Sequence, residues 1–355
     1  MKKAVLSGVR KFEIVEIRKP TIADTSEVLL RVKTVGVCGS DLHYFKEGRI
    51  GSQVVKFPFT IGHECSAVVE EVGNNVQRVK PGDMVAIDPC ISCGQCSQCL
   101  NGREHTCLNQ RFLGSPGQAE GCLQEFLVIP EKNCYPVPAR FTPELAALVE
   151  PLSIGHYAVK LMVAAVASQR SSAIGDGHLT SAVLGVGPIG LGTLMFLRRV
   201  LRGTIMVTDR LGYRLGAARK LGASLTVNAD SGDVIGSAMN VNPEMFDVAF
   251  ECCGQQEALD QAIELLKPGG LLFIVGIPEL DRVSFDMNLL RRKEIAIYNV
   301  RRQNKSMQPV IDAIASGECT PEMLVTHRFT LERTAAAFST AANYQDGVLK
   351  AVIEL

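Results

Sequence analysis

The chain has 355 residues, of which 37 are Lys or Arg and 37 are Asp or Glu, so its formal net charge is zero. That length suggests about two domains on a prior of ~150 residues each, and it buries a core without disulfide staples. The neutral balance offers no basic surface for nucleic acid or for an anionic membrane.

The first residues, Met1-Lys2-Lys3, are basic, but Ser7, Gly8 and Arg10 interrupt the chain before an apolar leader core develops. The longest helical-looking apolar run, 161–167, falls far short of the ~20 residues needed to cross a bilayer. A soluble, cytoplasmic protein is expected. Residues 4–6, 12–17 and 28–35 read as short strands broken by Pro20 and polar turns. The alternation of Val28, Leu30 and Val32 marks an antiparallel β platform. Cys38 arrives at the end of its last strand. If Gly39 opens a short helix, Ser40 and His43 lie three apart and share a face. The plainer reading makes Ser40 a helix cap and His43 a surface residue. Further on, His63 and Glu64 precede an apolar strand over 67–72. Cys38, His63 and Glu64 could all bind one zinc.

Five of the twelve cysteines, Cys90, Cys93, Cys96, Cys99 and Cys107, fall within eighteen residues, a packing that suits a metal lobe rather than a disulfide framework. Cys93, Cys96, Cys99 and Cys107 set four thiolates on one loop, the closed tetrahedral donor set of a structural zinc. Cys90 and His105 compete for those places by spacing. Cys65, Cys122, Cys134, Cys252, Cys253 and Cys319 read as small buried hydrophobes.

After further strand-like runs comes Glu150-Pro151. The proline restricts Glu150 to extended geometry and suits the first position of a helix. Glu150 then sits at the positive end of that helix, or serves as a further oxygen ligand to the metal or a partner of its water. From here the texture changes to alternating apolar strands and helices. An apolar strand at 182–184 runs into Gly185-Val186-Gly187-Pro188-Ile189-Gly190 and then into a helix. Gly185 permits the tight turn, Gly187 the approach of a pyrophosphate, and Gly190 close helix–strand packing. Asp209 ends the next strand, nineteen residues past Gly190. An acid there hydrogen-bonds the adenosine ribose and repels a 2′-phosphate, which favours NAD over NADP, although Arg210 and Arg214 can tolerate a phosphate. The rhythm continues with strands at 246–251, 271–275 and 294–300, a helix at 257–266 and a turn at 267–270. Continuously apolar strands of this kind belong to a parallel sheet buried on both faces. The tail beyond Arg301 holds two helices and two strands, the last at 349–353, and is expected to rejoin the first domain.

Taken together, these motifs resemble the zinc-dependent medium-chain alcohol dehydrogenases over essentially the whole chain. His43-Tyr44, Gly48-Arg49-Ile50-Gly51 and Glu150-Pro151-Leu152-Ser153 are most similar to the sorbitol (L-iditol) dehydrogenase branch. The resemblance implies an α/β protein with a GroES-like β-rich catalytic domain (1–153 and 299–355) and a doubly wound Rossmann domain binding NAD (154–298). It implies catalytic zinc on Cys38 and His63, with Glu64 and Glu150 competing for the next position, and structural zinc on the four lobe cysteines, excluding Cys90 and His105. Ser40 and His43 become a proton relay by way of the cofactor ribose, and Arg302 and Tyr44 contact substrate. The implied reaction oxidises a secondary alcohol of a polyol in a homodimer or homotetramer. Threonine, a sugar-alcohol phosphate or a simple secondary alcohol are the alternative substrates, and a non-enzymatic zinc-lobe module the alternative role. The chain departs from the family at Ala67, where glycine is usual, at Gln303, where an aromatic often stands, and in a longer 164–178 segment.

Overall fold

Apolar alternation along strand Glu27–Gly36 places Val28, Leu30, Val32 and Val35 in one buried cluster and makes the strand the centre of a mixed sheet. Across that sheet the order is Cys134–Pro136, Met84–Ile87, Glu64–Val72, Glu27–Gly36, Lys350–Glu354 and Val325–Thr330, with Phe126–Pro130 also pairing with Glu27–Gly36. The C-terminal strand pairs antiparallel to Glu27–Gly36, Val352 opposite Gly36, so the tail does rejoin the first domain. The computed structural model describes residues 1–169 and 178–355, and the chain divides into one unit of 1–150 with 307–355 and a second of 151–306. Of the long 164–178 segment, 170–177 lie outside the described residues.

The second unit is built on a parallel sheet whose six described strands run Leu225–Asn228, Ile205–Asp209, Ser181–Leu184, Phe246–Glu251, Leu266–Ile274 and Ala296–Asn299. This is the doubly wound order 3-2-1-4-5-6. The strand order reverses its direction of growth between the parallel neighbours Ser181–Leu184 and Phe246–Glu251, and ligands of such sheets bind beyond the strand ends at that point. Phe250 stacks on Phe273 with centroids 5.1 Å apart, and Phe273 on Tyr298 at 5.0 Å, tying three neighbouring strands through one face. The turn expected at 267–270 lies inside strand Leu266–Ile274. Pairing jumps from Phe246–Leu266 to Val248–Leu271, and Gly269 supplies the positive φ of 74° for the intervening irregularity.

Two helical expectations need correction. The helix carrying Glu150 does not begin at Pro151 but runs over Pro143–Gln169, with Pro151 inside it. Its start is set by Thr142, whose Oγ1 accepts from Leu145 N at 3.3 Å, and by Pro143 in the first turn. Glu150 is thus a mid-helix residue, and the reading that puts it at the positive end of a helix dipole falls away. The apolar run 161–167 is only the second half of this element. Pro143–Ser168 is the one described helix long and apolar enough to cross a membrane, and 56% of that window is buried inside the fold.

Candidate active site and metal centres

Cys38 leaves the central strand in extended geometry and caps helix Gly39–Glu47, so Ser40 and His43 do fall on one helical face. Ser40 Oγ lies 3.3 Å from Cys38 Sγ and 3.5 Å from His63 Nε2, which brings thiol, hydroxyl and imidazole together from two separate segments. His63 is buried, and its Nδ1 sits 3.4 Å from Asp41 Oδ1. A carboxylate behind one ring nitrogen orients the imidazole and leaves the other nitrogen for a metal. Burial works to neutralise His63, but Asp41 and Cys38 outweigh it and hold its pKa well above the ordinary value. Metal loading must therefore displace a proton. Asp41 escaped the sequence reading; its signal was an acid one helical turn past Cys38. His43 is half-buried, while Tyr44 is buried and its hydroxyl donates to Gln53 Oε1 at 3.0 Å.

The two competing acids have different surroundings. Lys350 Nζ donates to both oxygens of Glu64, at 2.8 and 2.7 Å, and to Val37 O at 3.0 Å, and both side chains are almost wholly buried. Gly36 makes room for this pair, since a Cβ there would stand 2.2 Å from Glu64 Oε2. Glu150 is also buried, yet its Oε2 has no hydrogen-bond partner. Burial raises its pKa to about 8, against the pull of His63 toward the charged form. A desolvated carboxylate with one orphaned oxygen, coupled by charge to a histidine that stands beside a cysteine, offers the donor chemistry that zinc takes.

The lobe cysteines form a second centre. The Sγ atoms of Cys93, Cys96, Cys99 and Cys107 lie within 4.8 Å of one another, so four thiolates can close on one ion. Backbone N–H groups of Gln95 and Cys96 lower the Cys93 pKa to about 6, and those of Cys99 and Leu108 lower that of Cys96, whereas burial raises Cys99 to about 12. Cys90 is held elsewhere, with Sγ 3.7 Å from Glu104 O. Cys99→Ser should remove about one zinc per chain and make the lobe protease-sensitive while the other metal stays; metal analysis alongside limited proteolysis measures both.

In the second unit, Gly185 takes a φ of 86°, and a Cβ on Gly190 would stand 2.0 Å from Gly185 O, so the loop admits no larger residue there. Gly187 caps helix Pro188–Val200, whose first turn points its backbone donors at an approaching phosphate. Asp209 ties this turn to the second strand: Oδ2 accepts from Val186 N at 2.8 Å and Oδ1 from Leu211 N at 2.9 Å. An ionised carboxylate has capacity left for ribose hydroxyls after these two bonds. Arg214 stands 3.7 Å from Asp209 and beside Gly187, while Arg210 is turned away to Asp230 at 2.7 Å. Glu251 also went unread. Its Oε1 accepts from Cys253 N at 2.7 Å and Gly254 N at 2.5 Å, bracing the turn that packs against Gly185. Arg302 follows the last strand of the parallel sheet, half-buried and with a φ of 54°.

Residues 24–139 match the alcohol dehydrogenase GroES-like domain and residues 188–316 the zinc-binding dehydrogenase domain. The chain is 35% identical to sorbitol dehydrogenase of Bacillus subtilis (strain 168), covering 99% of this chain and 97% of that one. It is 32% identical to L-idonate 5-dehydrogenase of Vitis vinifera, over 96% and 91% of the two chains. Among solved structures, a zinc-binding dehydrogenase from Sinorhizobium meliloti 1021 bound to NADP superposes with a TM-score of 0.87 at 27% identity, covering 100% and 99% of the chains. With a four-cysteine donor set in the first unit and a glycine-rich strand-to-helix turn in the second, the chain belongs to the zinc-dependent medium-chain alcohol dehydrogenases, in their sorbitol dehydrogenase-like branch, and is an NAD(P)-dependent zinc enzyme.

Proposed function

We propose that this enzyme oxidises a secondary alcohol of a polyol such as sorbitol, xylitol or L-iditol to the ketose, with NAD as hydride acceptor, as a cytoplasmic homo-oligomer. The observation that carries the reading is Glu150: a buried carboxylate whose Oε2 is unsatisfied and whose charge is coupled to that of His63; in this reading it completes a thiolate–imidazole–carboxylate set. The sorbitol and L-idonate dehydrogenases among its relatives support a polyhydroxylated substrate.

In this reading Cys38, His63 and Glu150 hold the catalytic zinc, Asp41 keeps His63 in register, and Cys93, Cys96, Cys99 and Cys107 hold the structural zinc. When bound, zinc supplies a Lewis acid to the substrate hydroxyl, and the nicotinamide accepts the hydride. Ser40 Oγ accepts the hydroxyl proton as it leaves, and His43, one turn along the same helix, receives it on its imidazole for release to water. The Gly185–Gly190 turn seats the pyrophosphate and Asp209 the ribose. Arg302, and Tyr44 through Gln53, are assigned to the remaining hydroxyls.

The test is NAD reduction over a panel of sorbitol, xylitol, L-iditol, threonine, a sugar-alcohol phosphate and 2-butanol. A polyol should lead 2-butanol in kcat/KM by about tenfold or more, the value of one or two extra hydrogen bonds. A lead for threonine or the phosphate would replace this substrate class. On the cofactor side, Asp209→Ala should lower kcat/KM for NAD by about 10- to 100-fold and narrow the gap to NADP, because it removes a charged acceptor from the ribose and the repulsion of a 2′-phosphate. Initial rates with both cofactors decide it, and an unchanged NAD preference would sink the assignment of Asp209.

A further inference from the structure

Beyond its last parallel strand the chain enters a loop with two residues in the left-handed region, Arg302 at φ 54° and Lys305 at φ 55°. Neither is glycine, asparagine or aspartate, the residues that take this conformation at low cost, so the surrounding structure must hold them there. One helix contributes two bonds to that hold. His156 Nδ1 is hydrogen-bonded to Ser306 Oγ at 2.9 Å, and one turn later Lys160 Nζ donates to Asn304 O at 3.4 Å. Inside the loop, Ser306 N donates to Gln303 Oε1 at 3.0 Å, and Ser306 Oγ lies 3.5 Å from Asn304 O. Ser306 and Gln303 are both buried. The imidazole is itself fixed edge-on to Phe196, with centroids 5.1 Å apart.

We propose that His156 is a positioning residue for substrate recognition: through Ser306 it clamps the 302–306 loop and keeps Arg302 in the conformation from which it meets a polyol hydroxyl. The inference rests on the assignment of Arg302 to substrate and deepens it. Burial lowers the His156 pKa to about 4, with Lys160 and Arg199 adding to the effect, so the ring is neutral at working pH and the bond to Ser306 does not titrate there.

The experiment uses the zinc-loaded enzyme and the variants His156→Phe, which keeps a ring against Phe196, Ser306→Ala, which cuts the same bond from the other side, and Ser306→Thr, which keeps the hydroxyl. His156→Phe and Ser306→Ala should raise KM for the best polyol about tenfold, the effect of one lost hydrogen bond, with kcat and KM for NAD within about twofold. Ser306→Thr should behave as wild type. Amide exchange over 301–306 should quicken in the first two variants alone. In an Arg302→Ala background, where KM is already raised, His156→Phe should add nothing. An unchanged polyol KM in His156→Phe and Ser306→Ala, equal damage to KM for NAD, or an effect that adds fully to Arg302→Ala overturns the clamp and leaves the Arg302 assignment standing. An unchanged polyol KM in Arg302→Ala itself overturns that assignment and the clamp with it.

Discussion

Lys350→Met should destabilise the zinc-loaded enzyme by about 3–5 kcal/mol, the usual cost of leaving one partner of a buried ion pair uncompensated. The ammonium spans both Glu64 oxygens and the Val37 carbonyl, at 2.7–3.0 Å, in a place closed to water. Burial alone would depress the Lys350 pKa; Glu64, aided by Cys38 and Glu150, more than reverses this and leaves it above its ordinary 10.5. A group whose folded pKa is raised contributes stability that is fully present below its unfolded pKa. The contribution is lost only as pH rises through the folded value, so here it fades above pH 10.5. Urea unfolding at neutral pH reads the effect. The double variant Lys350→Met/Glu64→Gln should recover much of the loss, because the orphaned charge goes with its partner. A loss under about 1 kcal/mol for Lys350→Met would mean that water reaches the pair, and the structural role given to Glu64 would fall.

What could be read from the sequence was what is local. Cys38 with Ser40 and His43, the four lobe cysteines and the Gly185–Gly190 turn each fit within a few helical turns, and spacing alone conveys their chemistry. The order of alternating strands and helices likewise announces a doubly wound sheet. Lys350 could not be found in this way: it meets Glu64 across 286 positions, through a C-terminal strand whose pairing only the folded sheet reveals. Glu64 consequently read as a free ligand candidate. Pro151 misled for the opposite reason. A proline after a charged residue is a strong local start signal, but Thr142 and Pro143 supply a start more than two turns earlier, and burial of Val149 and Leu152 carries the helix through Pro151. Asp41 was overlooked because its partner His63 is twenty-two residues away; the acid acquires meaning only once the imidazole is placed behind it.

The pair of variants Glu150→Gln and Glu64→Gln separates the two acids. Glu150→Gln should cut the zinc content from about two to about one per chain and lower kcat on the best alcohol on the order of 100-fold or more, since a neutral amide replaces a ligand carboxylate. Glu64→Gln should keep both metals and retain activity better than Glu150→Gln, because its carboxylate already answers Lys350. The metal-free protein adds a second signature. Glu150 has its pKa raised from an ordinary 4.5 to about 8, so between those values the folded form holds a proton that the unfolded form has released. The contribution of Glu150 to stability must then fall as pH rises across that window, and stripped wild-type enzyme should lose stability from this group between pH 4.5 and 8. Zinc should flatten that slope by taking the proton's place, and stripped Glu150→Gln should lack it. Denaturant titrations of wild type and Glu150→Gln, each with and without chelator, measure all three. If Glu64→Gln loses the zinc while Glu150→Gln keeps it, the ligand is Glu64, and Lys350 must release its partner whenever the metal binds.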